Sequence, residues 1–293
     1  MIKKLLALIC CLCLLCTGSA CVAENAPLHE EILAYELKSA GVKKVQDWID
    51  NTLIKNAGVS AEWYALGLHA MGGYDLAQYR QALTTYLQNH TVRSHVTRQK
   101  CALALLAAGA DRLSVGQILA DSIGRQGLMS WVYGLHLMNN GITCTEYTAD
   151  DAVKTILSMQ LPDGGWVITG SVSDADVTAM TLQALAIYSE RNEEVQTAVE
   201  RALVRLTEIQ LSDGGYASYG KANAESVAQV WMALSALGID ALQDERFIKD
   251  GNTLADALKG YRLSDGSYSH LAGGVTNTTA TQQVFLASIA DDR

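Results

Sequence analysis

Gln160-Leu161-Pro162-Asp163-Gly164-Gly165-Trp166 returns, slightly altered, as Gln210-Leu211-Ser212-Asp213-Gly214-Gly215-Tyr216 and again as Arg262-Leu263-Ser264-Asp265-Gly266-Ser267-Tyr268. The aspartates stand 50 and 52 residues apart. A period of this size marks stacked copies of one supersecondary unit, each too small to bury its apolar face alone. Every copy lies between two helix-like stretches. The Asp-Gly-Gly therefore belongs to a connection, where Gly allows positive φ and Asp bonds back to nearby amides.

After each turn comes a segment of one pattern: Asp174-Ala-Asp176-Val-Thr-Ala-Met, Asn223-Ala-Glu225-Ser-Val-Ala-Gln229 and Asn277-Thr-Thr279-Ala-Thr-Gln-Gln283. Their continuations are apolar or small, as a helix surrounded by others requires. Ser60-Ala-Glu62-Trp-Tyr-Ala-Leu matches the same opening in the first half of the chain, and weaker copies start near Thr97 and Met129. Six inner helices are thus predicted, starting near residues 61, 97, 129, 174, 224 and 277. More charged, amphipathic stretches near 43–56, 76–89, 114–123, 149–160, 194–209 and 251–261 suit an outer layer. In one of them, Val195, Ala198, Val199, Ala202, Leu203, Leu206 and Ile209 form a single apolar stripe. Twelve helices in six hairpins close a ring, so the expected fold is an all-α, α6/α6 toroid.

Composition bounds the rest. Residues 1–23 read as an export signal, with Lys3 and Lys4 ahead of an apolar run from Leu5 to Leu15 and small residues at Gly18, Ser19, Ala20 and Ala23. That run is too short to span a bilayer. Cleavage is expected after Ala20 or Ala23, giving a secreted protein; lipidation at Cys21, leaving a membrane-anchored lipoprotein, is the rival outcome. A lead-in helix over 24–40 precedes the ring domain, 41–293, and no Pro- or Ser-rich linker divides it. A monomer is expected. The formal charge of −9 and the lack of a basic cluster exclude nucleic acid, which demands phosphate neutralisation by Lys and Arg. Of seven cysteines, Cys101 and Cys144 lie within the domain. They are read as a disulfide or as two free thiols.

Gln160-x-x-Asp163-Gly164-x-Trp166 resembles the Gln-Trp motif of squalene and hopene cyclases. The whole pattern is similar to the prenyltransferase and squalene-oxidase repeat superfamily of α/α toroids. The C-terminal half most resembles secreted bacterial repeat proteins of unassigned activity. The superfamily also includes vitamin B12 carriers, which hold a corrinoid against a β domain that this chain lacks.

For terpenoid cyclases the resemblance implies an Asp-x-Asp-Asp-Thr-Ala motif whose middle Asp protonates the substrate. It carries onto Asp174-Ala175-Asp176-Val177-Thr178-Ala179 and puts Asp176 in the acid's place, with Val177 where the last Asp would stand. Cyclases also steady cations with aromatic faces, and aromatic residues make up only 6% of this chain. The zinc of protein prenyltransferases needs an Asp-x-Cys pair that neither Cys101 nor Cys144 completes, so no metal and no cofactor is expected. His69 and His136 recur in Gly-Leu-His-x-Met and are read as core polarity.

Two roles remain open for the polar helix starts. Asp174, Asn223, Asn277 and Ser60 suit helix caps, and Asp176 and Glu225 suit the first turn, where negative charge favours the helix dipole. The same residues also line the mouth of a ring, a natural ligand site. The leading expectation is non-catalytic binding of a small apolar or amphipathic molecule, or of a protein partner. The site would comprise Asp174, Asp176, Asn223, Glu225, Gln229, Asn277 and Gln283, with Trp166, Tyr216 and Tyr268 anchoring the turns and bordering it. The alternatives are a cyclase-like enzyme with Asp176 as general acid and a carbohydrate-active α6/α6 enzyme. The last would use Asp176 and Glu225 across a groove of roughly 6.5–9.5 Å.

Overall fold

The computed structural model describes residues 27–291, so the expected export signal and the lipidation candidate Cys21 lie outside the described residues. Thirteen α-helices follow one another. They are α1 (Leu28–Ala40), α2 (Val45–Asn51, continued by a 3-10 turn over Leu53–Asn56), α3 (Glu62–Met71), α4 (Ala77–Asn89), α5 (His95–Ala107), α6 (Arg112–Ala120) and α7 (Gly127–Asn139). Then come α8 (Ala149–Ser158), α9 (Ala175–Leu185), α10 (Glu193–Ile209), α11 (Ala224–Ala236), α12 (Leu254–Lys259) and α13 (Thr278–Asp291). Among the described residues the only named strands are β1 (Ala217–Ser218) and β2 (Lys221–Ala222), an antiparallel pair with Ala217 opposite Ala222.

The odd-numbered helices from α3 to α13 form the inner layer. Each packs on the next, α3 on α5 through to α11 on α13, and α13 returns to α3, which closes the ring. Outer helices lie behind them: α4 and α6 on α5, α8 on α7, α10 on α9, α12 on α11 and α1 on α13, with α2 between α1 and α4 completing the circuit. The chain is therefore an α/α toroid of six hairpins, with its N-terminal helix backing its C-terminal one. The closing seam has no chain connection and relies on fit. The ring of Phe285 occupies the space above Gly67, where a Cβ would lie 2.5 Å from it, and the Gln282 amide donates to the Ser60 carbonyl.

The repeated motif is explained by what it touches. In the first two copies the Gln amide donates both to its own turn and to the next outer segment: Gln160 Nε2 to Gly164 O (2.7 Å) and Ala198 O (2.8 Å), Gln210 Nε2 to Gly214 O (3.0 Å) and Phe247 O (2.8 Å). The third copy reaches α1 instead, through Arg262 Nε to Glu31 Oε2 (3.0 Å). The first glycine of each turn has φ between +84° and +94°. It also lies against backbone: a Cβ on Gly164 would meet Arg201 O at 2.6 Å, and one on Gly214 would meet Thr253 O at 2.4 Å. Each turn is thus pressed onto the following unit at main-chain distance. A side chain there would meet both the left-handed penalty and a collision with a carbonyl that cannot swing away.

The two cysteines are free, and burial, with Glu62 nearby, pushes the Cys101 thiol up to about 12. No helix among the described residues is long and apolar enough to cross a membrane.

Replacing Gln210 by Ala leaves two buried carbonyls without their donor, at roughly 1–3 kcal/mol each. Gln210→Ala is expected to lower unfolding free energy by about 2–4 kcal/mol. Gly214→Ala should cost more than Gly238→Ala, whose glycine has φ +71° but open space around it. Urea titration of the three variants, read by circular dichroism, checks the order.

Candidate functional site

All six inner helices start at one rim, because each follows an antiparallel outer helix, and side-chain bonds between neighbours join like levels: Gln99 Nε2 reaches Ser130 O (2.9 Å), and Gln229 Nε2 reaches Gln283 Oε1 (2.8 Å). The capping expectation is met at Asp174, Asn223 and Asn277 but not at Ser60, since α3 is preceded by Ala61 and has no side-chain cap. Asp174 Oδ1 accepts from the Asp176 and Val177 amides (3.0 and 3.2 Å), Asn223 Oδ1 from Ser226 N (2.8 Å), and Asn277 Oδ1 from Ala280 N (2.9 Å). The cap residues' own amides donate to the carbonyls of Trp166, Tyr216 and Tyr268, at 2.9, 3.3 and 2.8 Å. Turn, aromatic and helix start are thereby one rigid unit. Two of the units add a hydroxyl clamp, Thr178 Oγ1 on Trp166 N (2.9 Å) and Thr281 Oγ1 on Tyr268 N (3.0 Å).

Each start is also tied to the neighbouring unit. The second oxygen of Asp174 accepts from Ser218 Oγ (2.7 Å) and Tyr219 N (3.2 Å), which fastens the β1–β2 hairpin over α9. One unit on, His270 plays that part: its carbonyl accepts from Ala224 N (3.2 Å), and its Nδ1 lies 2.8 Å from Glu225 Oε2.

The position two residues after the cap carries Glu62, Asp176, Glu225 and Thr279. Glu62 is buried and satisfied, with Gly58 N donating to Oε1 (2.7 Å) and Lys100 Nζ 3.3 Å from Oε2. Glu225 is nearly buried and faces His270. Thr279 is exposed. Asp176 differs from all three. It is partly exposed, yet its Oδ1 is buried without a hydrogen-bond partner, as is Ser226 Oγ. Burial pushes its carboxyl up to about 6; the nearby Ser226 hydroxyl and His270 pull it down, while Asp174 and Glu225 push it further up. The mutual influence of Asp176, Asp174, Glu225 and His270 puts the four groups at one place on the rim.

Below Asp176, Met180 and Gln183 are the other part-exposed residues of α9. The spacing i, i+4, i+7 sets all three on one face, which looks into the lumen. The α11 side of the ring is filled instead. Every residue from Ala224 to Leu234 of α11 is buried, and an amide chain runs across three helices from Gln183 Nε2 to Gln229 Oε1 (2.9 Å) and on to Gln283.

These placements revise the expected site. Asp174, Asp176, Glu225 and, through its cap, Asn223 come together. Gln229 is buried with both ends of its amide hydrogen-bonded, and Gln283 is buried with its Oε1 taken by Gln229. Asn277 caps α13 at the same rim. Trp166, Tyr216 and Tyr268 do not border an accessible site: each is at most 1% exposed, and Trp166 Nε1 donates to Ile156 O (2.9 Å) inside the wall. A ring that pins a turn to the core is closed to a guest by the same packing. His69 is exposed, whereas burial pulls His136 down to about 4 despite a bond to the Met180 backbone. No three His, Cys, Asp or Glu gather into a metal cluster among the described residues.

Sequence reasoning missed His270, Ser218 and Tyr219. The available signal was their place in the loops between a motif aromatic and the next cap, which had to cross the rim.

No family model matches the chain, and no curated protein matches it. Among solved structures, the unsaturated glucuronyl hydrolase of Bacillus sp. GL1, responsible for degradation of glycosaminoglycan, aligns with a TM-score of 0.57 at 13% identity. The alignment covers 89% of this chain and 94% of that one. An ent-copalyl diphosphate synthase from Streptomyces platensis aligns over 90% of this chain and 50% of its own, at 16% identity and a TM-score of 0.37. At such identities a likeness concerns the architecture alone.

A carboxyl held near 6 in the folded chain but near 3.9 when unfolded destabilises the fold once pH exceeds both values, here by about 3 kcal/mol. Below pH 4 the group is protonated in both states and the penalty vanishes. Asp176→Asn is therefore expected to melt higher than the parent protein at pH 8, with the gap closing towards pH 4. Calorimetry across that range checks it.

Proposed function

We propose that this protein is a non-catalytic receptor, working outside the cell after export on residues 1–23, and that it recognises its guest at the rim where α9 and α11 begin. The observation that carries the reading is Asp176: a largely desolvated carboxyl whose buried oxygen has only the neighbouring Ser226 hydroxyl, beside the Glu225–His270 pair, on the part-exposed Asp176–Met180–Gln183 face of α9. A desolvated carboxylate is costly, and a guest's ammonium or hydroxyl group brought to its accessible oxygen offsets part of that cost. Met180 and the stem of Gln183 then receive an apolar part. Asp174 and Asn223 hold the geometry as caps, with their oxygens already engaged. The reading involves no cofactor.

The test uses two probes of like size and opposite charge. n-Decylammonium is expected to raise the melting temperature of the parent protein and n-decanoate to leave it unchanged, with the ammonium effect lost in Asp176→Asn. Equal shifts from both probes, or an undiminished shift in the variant, sink the reading. Native mass spectrometry of protein taken from its own culture medium shows whether a guest is retained.

The second reading is a proton donor of the cyclase type, favoured by one observation: a carboxyl held up to about 6 by burial stays partly protonated near neutrality, as a general acid requires. Turnover of squalene or geranylgeranyl diphosphate, abolished by Asp176→Asn, would establish it in place of the receptor. The α6/α6 hydrolase likeness extends to architecture, and a carbohydrate reading draws on nothing further at the site.

A further inference from the structure

Ten large apolar residues are exposed among those described, and six of them stand on four successive loops that lead into α3, α9, α11 and α13: Val59, Ile168, Val172, Tyr219, Leu271 and Val275. Those helices start at a single rim, so the exposed apolar surface is gathered at one end of the ring. Scattered single residues would need no explanation, but a gathered crown does. Tyr219 makes the point sharpest. It and Gly220 form a two-residue hairpin turn with φ +48° and +76°, in which Asn or Gly is the favoured first residue. A tyrosine there takes on a backbone cost of roughly 1 kcal/mol or more and still leaves its ring 67% exposed. Its amide is held by Asp174, while its ring is left to solvent.

Between loop 167–174 and the hairpin runs a groove of about 510 Å³, walled by Val172, Ser173, Asp174, Arg205 and Tyr219. Arg205 is already engaged by Ser173 Oγ (2.9 Å) and Glu208 (3.3 Å), and Asp174 by Ser218. Glu225 is engaged by His270 (2.8 Å), so the charge left for a partner on the rim beside this groove is that of Asp176. In the loops 167–173, 217–222 and 269–276 there is no Asp, Glu or Arg, and the basic residues are Lys221 and His270.

We infer that this rim is a docking surface for a protein segment carrying a basic side chain between apolar neighbours, the apolar groups seated on the crown and the cation on Asp176, beside the Glu225–His270 pair. The inference rests on the receptor reading above and names its guest. Charge decides against the other occupants. A second copy would bring carboxylates onto carboxylates, and an anionic lipid surface would meet both the rim acids and a net charge of −9. The groups facing Asp176 are Asp174, Glu225 and His270, and acid weakens the interaction by protonating Asp176.

The experiment is selection from a phage-displayed random peptide library on the intact protein at pH 7.5. The expected selectants carry Lys or Arg flanked by Leu, Ile, Val or aromatic residues. A synthetic selectant should bind at least tenfold more weakly to Asp176→Asn/Glu225→Gln and to Tyr219→Ser/Val275→Ser, and more weakly at pH 5 than at pH 7.5. The second variant alters exposed positions only, so its unchanged melting temperature separates lost docking from lost folding. Selectants without a basic residue, affinity indifferent to both variants, or no enrichment at all would overturn the inference. Co-sedimentation with phosphatidylcholine vesicles through the crown would overturn it in favour of a lipid. Should decylammonium bind while no peptide does, the receptor reading stands and this inference falls.

Discussion

Everything in this molecule depends on a glycine turn lying against the main chain of the next outer segment. At Gly164 and Gly214 the approach is so close that a single added carbon would meet a carbonyl oxygen, and the motif Gln spans the same gap with two hydrogen bonds from one amide. Such a contact fixes both the distance and the angle between units, since neither partner has a side chain that can rearrange. The ring follows: equal steps bring α13 back to α3, and parallel inner helices put every capped start at one rim.

Placed on that rim, four residues at one repeat position meet four fates. Glu62 has an ammonium and a backbone amide, Glu225 has an imidazole, Thr279 faces solvent, and Asp176 has only a neighbouring hydroxyl for its buried oxygen. Burial without a matching donor favours the neutral acid, so the group is both a cost to the fold and a demand for a guest. The surrounding caps, by contrast, are closed circuits. Asp174 spends one oxygen on its own helix and the other on the hairpin of the next unit, which makes it a structural joint in the wall of the site.

The fold was legible because its determinants are local and repeated. Asp174, Asn223 and Asn277 cap where their spacing from the turn said they would, and the inner helices start within about two residues of the positions read from the pattern. The site was legible only in part. Trp166, Tyr216 and Tyr268 look alike as ligand aromatics and as turn anchors, and only packing shows their rings sealed in the wall. Gln229 and Gln283 look like free lumen amides until each is seen bonded to the other. His270 lies 45 residues from Glu225, with no motif of its own.

By itself, then, the sequence determined the unit, its turn, its caps and the closed ring, since helix periodicity, glycine torsions and capping are properties of a few neighbouring residues repeated along the chain. Tertiary structure alone decided which carboxylate found a partner, which amides closed on one another and which apolar side chains were left facing out. Those outcomes turn on distances between units: hydrogen bonding and desolvation change within an ångström or two, and no residue spacing along the chain encodes that.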